Sequence, residues 1–224
     1  LAWQPDRYIF MNTQVPFTEL VWTFGAPRQT AEQTFRIRHS QNVNRLLNFG
    51  LVYDIVYNLG QYNYQRSSDK NFTFYGSYAG DRYKAYMAFG LNNFRTGENG
   101  GIADAAQLDD LDTRDVAVNL GGLSKAESLL KNRNFMLVQK YHVGKGISAA
   151  DDSVKNAAPV SQGLNGTFSH ILVFDGNRRT YSDNFPTSGF YDSIYISDKS
   201  TFDSLYARSI SNTVRFDFST GESR

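Results

Sequence analysis

Six cations stand at alternate positions in stretches otherwise rich in aliphatic and aromatic residues: Arg36, Arg38, Arg82, Lys84, Lys140 and Arg215. Fixed charges on one face of a strand can set the ion preference of an aqueous pore, and placing them there is tolerable because water fills it. Without a pore they would be strand residues on a wet face or at a membrane rim. Other candidate chemistry is weaker. His39, His142 and His170 stand singly, without the H-x-x-H or H-x-H spacing of a zinc site. Ser40 follows His39, but adjacent strand residues point to opposite faces, so the two cannot form a nucleophile–base pair. The acidic run DDLDTRD (109–115) lacks the regular D-x-D-x-D-G and the distal Glu of an EF-hand loop. GKG at 144–146 lacks the spacing of a phosphate loop, and GENGG at 97–101 has no helix after it. We therefore expect no catalytic residue, no cofactor and no metal, and a protein that is not an enzyme.

The cations need elements to hold them, and the pattern around them is β. In LNFGLVYDIVYNL (47–59) every odd position is apolar, including Phe49, Leu51, Tyr53 and Ile55, while Asn48, Asp54 and Asn58 fall on the other side. At about 3.3 Å per residue this alternation spans roughly 40 Å, well beyond an ordinary strand of 5–6 residues. It recurs in TELVWTFG (18–25), EQTFRIRHS (32–40), NFTFYGSYA (71–79), RYKAYMAFGLNNF (82–94), NRNFMLVQKYHVG (132–144), LNGTFSHILVFDG (164–176) and SISNTVRFDFS (209–219). Phe89 and Phe216 lie on the apolar sides of their segments, and Lys84 and Arg215 on the polar sides. Eight strands follow, with no convincing amphipathic helix of more than a few turns.

Connection lengths alternate as they do in a membrane barrel, short turns at 41–45 and 80–81 against long loops at 96–131 and 177–208. The connection 145–163 breaks the alternation, being on the short-turn side but as long as a loop. We read it as an elaborated turn. No repeat, linker or domain boundary interrupts residues 1–224, so a single domain is expected.

Composition narrows the setting. The 224 residues carry a formal net charge of +1, which gives no strong pull toward nucleic acid. Cysteine is absent, removing disulfides and thiolate chemistry. Aromatics reach 15% while mean hydropathy is −0.46, and no apolar run approaches the ~20 residues of a membrane helix. Many apolar residues diluted by polar ones at period two describe a membrane β-barrel. A soluble β-sandwich that binds glycans through exposed aromatics is the competing architecture, but its outward face would carry Lys, Glu and Thr in quantity. Here the polar face is rich in Gly, Asn, Ser and Tyr. The opening LAWQPDRYIF has no signal-peptide pattern, and both ends read as cut.

The blocks NTQVPFTELVWTFGAPRQTAEQTFRIRHSQNVN (12–44) and NFGLVYDIVYNLGQYNYQRSSDKNFTFYGSYAGDRYKAYMAFGLNNFRTGENGGI (48–102) resemble the Putative porin family of Bacteroidetes outer membranes. The likeness continues through TRDVAVNL (113–120), LKNRNFMLVQKY (130–141), TFSHILVFDGNRRTYSD (167–183) and SISNTVRFDF (209–218), covering nearly the whole chain. It implies an antiparallel transmembrane β-barrel in the outer membrane of a Gram-negative cell. Eight strands can close a narrow barrel, but family members are longer than this sequence, so the resemblance implies a segment that would be an arc of a larger barrel. In that setting Asp152-Ser153-Val154, Asp192-Ser193-Ile194 and Asp203-Ser204-Leu205 look like O-glycosylation acceptors, though so short a pattern arises readily by chance.

The expected function is passive diffusion of small hydrophilic solutes. Arg36, Arg38, Asp54, Arg82, Lys84, Lys140 and Arg215 should face the lumen, and Phe49, Leu51, Tyr53, Ile55, Phe89 and Phe216 the lipid. Phe72, Tyr75, Tyr78, Tyr83, Tyr141 and Tyr206 are candidates for interfacial girdles. Leu51→Arg should block assembly and Asp54→Arg should be tolerated. The alternative is a barrel plugged by its long loops, serving as a scaffold with other outer-membrane proteins as partners.

Overall fold

Period-two alternation commits each segment to a pleated strand with two unlike faces, and short turns between segments force antiparallel neighbours. A computed structural model describes residues 7–25, 32–109, 112, 115–121, 125–144 and 165–219. It contains the eight-strand meander that the alternation predicts: β1 (Phe17–Phe24), β2 (Gln33–Asn42), β3 (Leu47–Asn58), β4 (Ser67–Ala79), β5 (Tyr83–Gly97), β6 (Glu127–Val143), β7 (Asn165–Asp183) and β8 (Thr201–Ser219). Every neighbour pair is antiparallel, in the order β1 to β8 within one sheet. β1 and β8 each pair on one side only, so the sheet is an open arc rather than a closed barrel. A 3₁₀ turn spans Ala105–Leu108.

Several boundaries move outward from those the alternation suggests. β7 continues to Asp183 and β8 begins at Thr201, where Asn177 pairs with Ala207 and Asp183 with Thr201. The loop is therefore 184–200 rather than 177–208, and that between β5 and β6 is 98–126 rather than 96–131. Arg82 lies in the turn ahead of β5 rather than on the strand. The loops after β3, β5 and β7 cluster at one end of the sheet. Thr187 donates through Oγ1 to the Asn119 carbonyl at 3.0 Å, and Asn99 donates through Nδ2 to the Asn63 carbonyl at 3.3 Å. Within the connection after β7, Tyr191 donates its hydroxyl to Asp183 at 3.0 Å, and burial pushes its pKa up. At the opposite end, Asn44 Oδ1 accepts from the backbone of Leu46 and Leu47 to close the 43–46 turn. The connection from β6 to β7 is also at this end, and its residues 145–164 lie outside the described residues, as do most of 109–115 and the Asp152 triplet.

Directly opposed residues on neighbouring strands share a face, so the register divides the sheet without ambiguity. One face is covered and mostly polar where buried: Ser40, Asn48, Asp54, Asn71, Thr73, Asn92, Asn134 and Ser169. The other is bare and apolar, exposing Leu20, Trp22, Met87, Phe89, Leu91, Phe168, Ile210 and Val214. That inverts the layering of a soluble sandwich, in which the apolar face is the hidden one. No second sheet faces either side among the described residues.

Candidate functional site

Three levels of chemistry stack along the covered face, each running across the strands. Nearest the loops, the register aligns Arg36, Asp54, Asn71, Asn92, Asn132 and Asn177. Asparagine carries both a donor and an acceptor, so a row of them can bond from strand to strand without accumulating charge. Asn92 Nδ2 donates to Asn132 Oδ1 at 2.7 Å, and Asn132 Nδ2 donates to Asp175 Oδ1 at 2.6 Å and to Asn177 Oδ1 at 2.9 Å. At the β2 side, Arg36 Nε meets Asp54 Oδ1 at 2.6 Å. That pair corrects one expectation: Asp54→Arg would set two guanidinium groups against each other, so it is not a neutral change.

The middle level is apolar. Val52, Tyr75, Ala88 and Met136 are buried together, and the side chains that cover them come from the N-terminal segment, residues 7–16. Phe10 packs edge-on against Tyr75 and Tyr86, with ring centroids 5.7 and 5.2 Å apart. Tyr8 donates its hydroxyl to Asn134 on β6, and Asn42 on β2 donates to Asn12 Oδ1 at 2.7 Å. The segment thus crosses from β6 to β2 over the covered face before turning into β1. Two strand glycines make room for this layer. A Cβ on Gly50 would lie 2.2 Å from Tyr75 Cζ and 2.7 Å from the His39 carbonyl. On Gly90 it would lie 2.5 Å from the Tyr8 hydroxyl oxygen. Glycine inside a strand marks such close approach. This strap was not anticipated, and Tyr75, expected in an interfacial girdle, is 3% exposed beneath it.

The level nearest the short turns is cationic. Lys84 on β5, Lys140 on β6 and Arg215 on β8 fall on one row through Ser169, with Arg215 held by Asp217 at 2.7 Å. Arg38, one level above Ser40, reaches Glu19 at 3.9 Å. Arg36, Arg38, Asp54, Lys84, Lys140 and Arg215 therefore share the covered face, whereas Arg82 belongs to no strand row.

On the bare face the register places Phe49, Leu51, Tyr53, Ile55, Phe89 and Phe216. Near the short turns, Tyr83, Tyr141, Phe168 and Phe216 form a single aromatic row. Tyr78 lies beside it, 6.0 Å from the Tyr83 ring. Tyr206 sits near the loops, and Phe72 lies within the apolar field.

No cluster of three metal-ligating side chains occurs among the described residues, where the three histidines are dispersed. His39 meets Thr18 at 2.8 Å, His142 meets Thr167 at 3.3 Å, and His170 meets Asn212 at 2.9 Å. No helix among the described residues is long and apolar enough to cross a membrane, which says nothing of strands. Comparison with curated proteins and with solved structures gave no match. A family model described as "Putative porin" matches residues 1–222, and the chain belongs to that family.

Proposed function

We propose that the protein is a non-enzymatic outer-membrane channel through which small hydrophilic solutes diffuse passively. The observation that carries this reading is the inverted layering of the sheet, with apolar side chains on the bare face and polar ones on the covered face. In lipid the bare face has a solvent that suits it, and the Asn row and the Lys84–Lys140–Arg215 row then line a hydrated bore. Backbone groups in hydrocarbon must all be paired, so the free edges of β1 and β8 call for further strands to close the arc. The cationic level would favour anions. Conductance of the purified full-length protein in a planar lipid bilayer tests the reading. Stable stepwise currents are expected, and insertion without current would defeat the channel.

The strap favours a second reading, a barrel whose bore is blocked and which serves as a scaffold for other membrane proteins. It crosses five strands from β6 to β2, and Tyr8, Phe10 and Asn12 fix it at three points. An electrically silent protein that co-purifies with a stoichiometric partner would make this reading the better one.

A further inference from the structure

The charges on the bare face are unevenly placed. Among the described strand residues assigned to that face, histidine aside, they are Lys70, Arg95, Lys131, Arg133, Arg178, Arg208 and a single acid, Glu127. All lie in the loop-side halves of β4 to β8. The register sets Lys70, Asn93, Lys131 and Arg178 on one row, with Arg133 and Arg208 on the row below and Arg95 on the row above. Glu127 pairs with Arg95 at 3.2 Å, and Arg208 lies 4.5 Å above the Tyr206 ring. Among the described residues Lys70, Lys131, Arg133 and Arg178 have no ion pair. Lys70, Lys131 and Arg133 surround a hollow of about 280 Å³ with Tyr53, Phe72 and Leu91 beside them.

Below this belt the described strand residues of the bare face include no Lys, Arg, Asp or Glu down to the short turns, where the aromatic row stands. The two ends of one apolar field are therefore unlike, cationic above and aromatic below. Clustered cations beside hydrocarbon repel one another unless anions join them, and phosphate suits both the arginine fork and the lysine point charge. Acyl chains against Phe72 and Leu91 would place a headgroup phosphate at the level of Lys70, Lys131 and Arg133.

We propose that this belt is a binding site for phosphate-bearing lipid headgroups in the leaflet on the loop side. The inference rests on the reading that the bare face meets lipid. The test is electron spin resonance on the full-length protein in phosphatidylcholine vesicles, with spin-labelled phosphatidic acid or spin-labelled phosphatidylcholine as the probe. Phosphatidic acid should be immobilised severalfold more than phosphatidylcholine, and high salt should weaken the preference. Lys131→Ser with Arg133→Ser should bring the preference close to that for phosphatidylcholine. Lys84→Ser with Lys140→Ser, on the covered face, should leave it intact. Equal immobilisation of both probes, or equal losses in the two double variants, would overturn the site while leaving the membrane reading standing. A protein that immobilises neither probe would overturn both.

Discussion

The two faces of this sheet are made from the same strands, often from adjacent residues, yet they follow opposite rules. On the bare face size and apolarity suffice, since Leu51, Phe89 and Val214 meet no particular partner and serve by presenting hydrocarbon. On the covered face identity matters at single positions: Gly50 admits the Tyr75 ring, Gly90 admits the Tyr8 hydroxyl, and Asn132 bonds to both neighbouring strands. A liquid solvent adapts to whatever it meets, while a strap built from the chain itself has one shape. The difference should appear in which substitutions each face tolerates.

The largest effect should come from charge on the bare face. Leu51→Arg should lower the stability of the inserted barrel by about 2–4 kcal/mol, as a cation near the bilayer midplane does. Ser209→Arg, at an exposed position on the covered face beside Asp175, should assemble as the native protein does. Unfolding in lipid vesicles, followed by tryptophan fluorescence against denaturant, measures both. Equal stability of the two variants would mean that the faces have been assigned the wrong way round.

This division was legible in the sequence because alternation fixes which residues share a side, and a register error of one residue would have mixed the two sets. What stayed hidden has physical causes. NRRTYSD (177–183) is polar on both sides, so its alternation vanishes even though it pairs fully with β8. Tyr75 could have been separated from Phe72, Phe74 and Tyr78 by parity alone, since it is the odd residue among even ones. The strap left no periodic trace, because an extended segment lying across strands contributes single contacts rather than a pattern. Gly50 and Gly90, glycines on the polar sides of long strands, were the available signal. They mark close approach without saying what approaches.

Those glycines provide the next contrast. Gly50→Ala forces a methyl group into the Tyr75 ring and the His39 carbonyl, and overpacking of this kind costs about 1–3 kcal/mol. Gly76, on the bare face of β4, has its nearest neighbour 3.6 Å from an added Cβ, so Gly76→Ala should be close to neutral. Thermal unfolding of the two variants in detergent would show whether strand glycines matter by face or merely by number.

Smaller still should be the effect of charge reversal within an intact barrel. Lys84→Glu with Lys140→Glu changes the cationic row of the covered face, and roughly a severalfold change in the anion-to-cation permeability ratio is expected. Lys70→Glu with Lys131→Glu makes the same formal change on the bare face and should leave the reversal potential where it was. A shift produced equally by both pairs would show that net charge, rather than position on a bore, sets the preference.

The finest contrast removes one oxygen. Tyr8→Phe keeps the ring in the strap but deletes the donor to Asn134, costing about 0.5–1.5 kcal/mol of strap docking. Burial pushes the Tyr8 phenol from 10.0 up to about 12, with the Asp175 carboxylate adding to the shift. The docked strap thus favours the neutral phenol, and its contribution is fully present below pH 10 and lost as pH rises through about 12. Limited proteolysis of residues 7–16 should accordingly quicken in the native protein over that interval. In Tyr8→Phe cleavage should start faster and lose this pH dependence, because no proton remains at that position to be released. Identical pH profiles for the two proteins would show that Phe10 and Asn12 hold the strap without help from Tyr8.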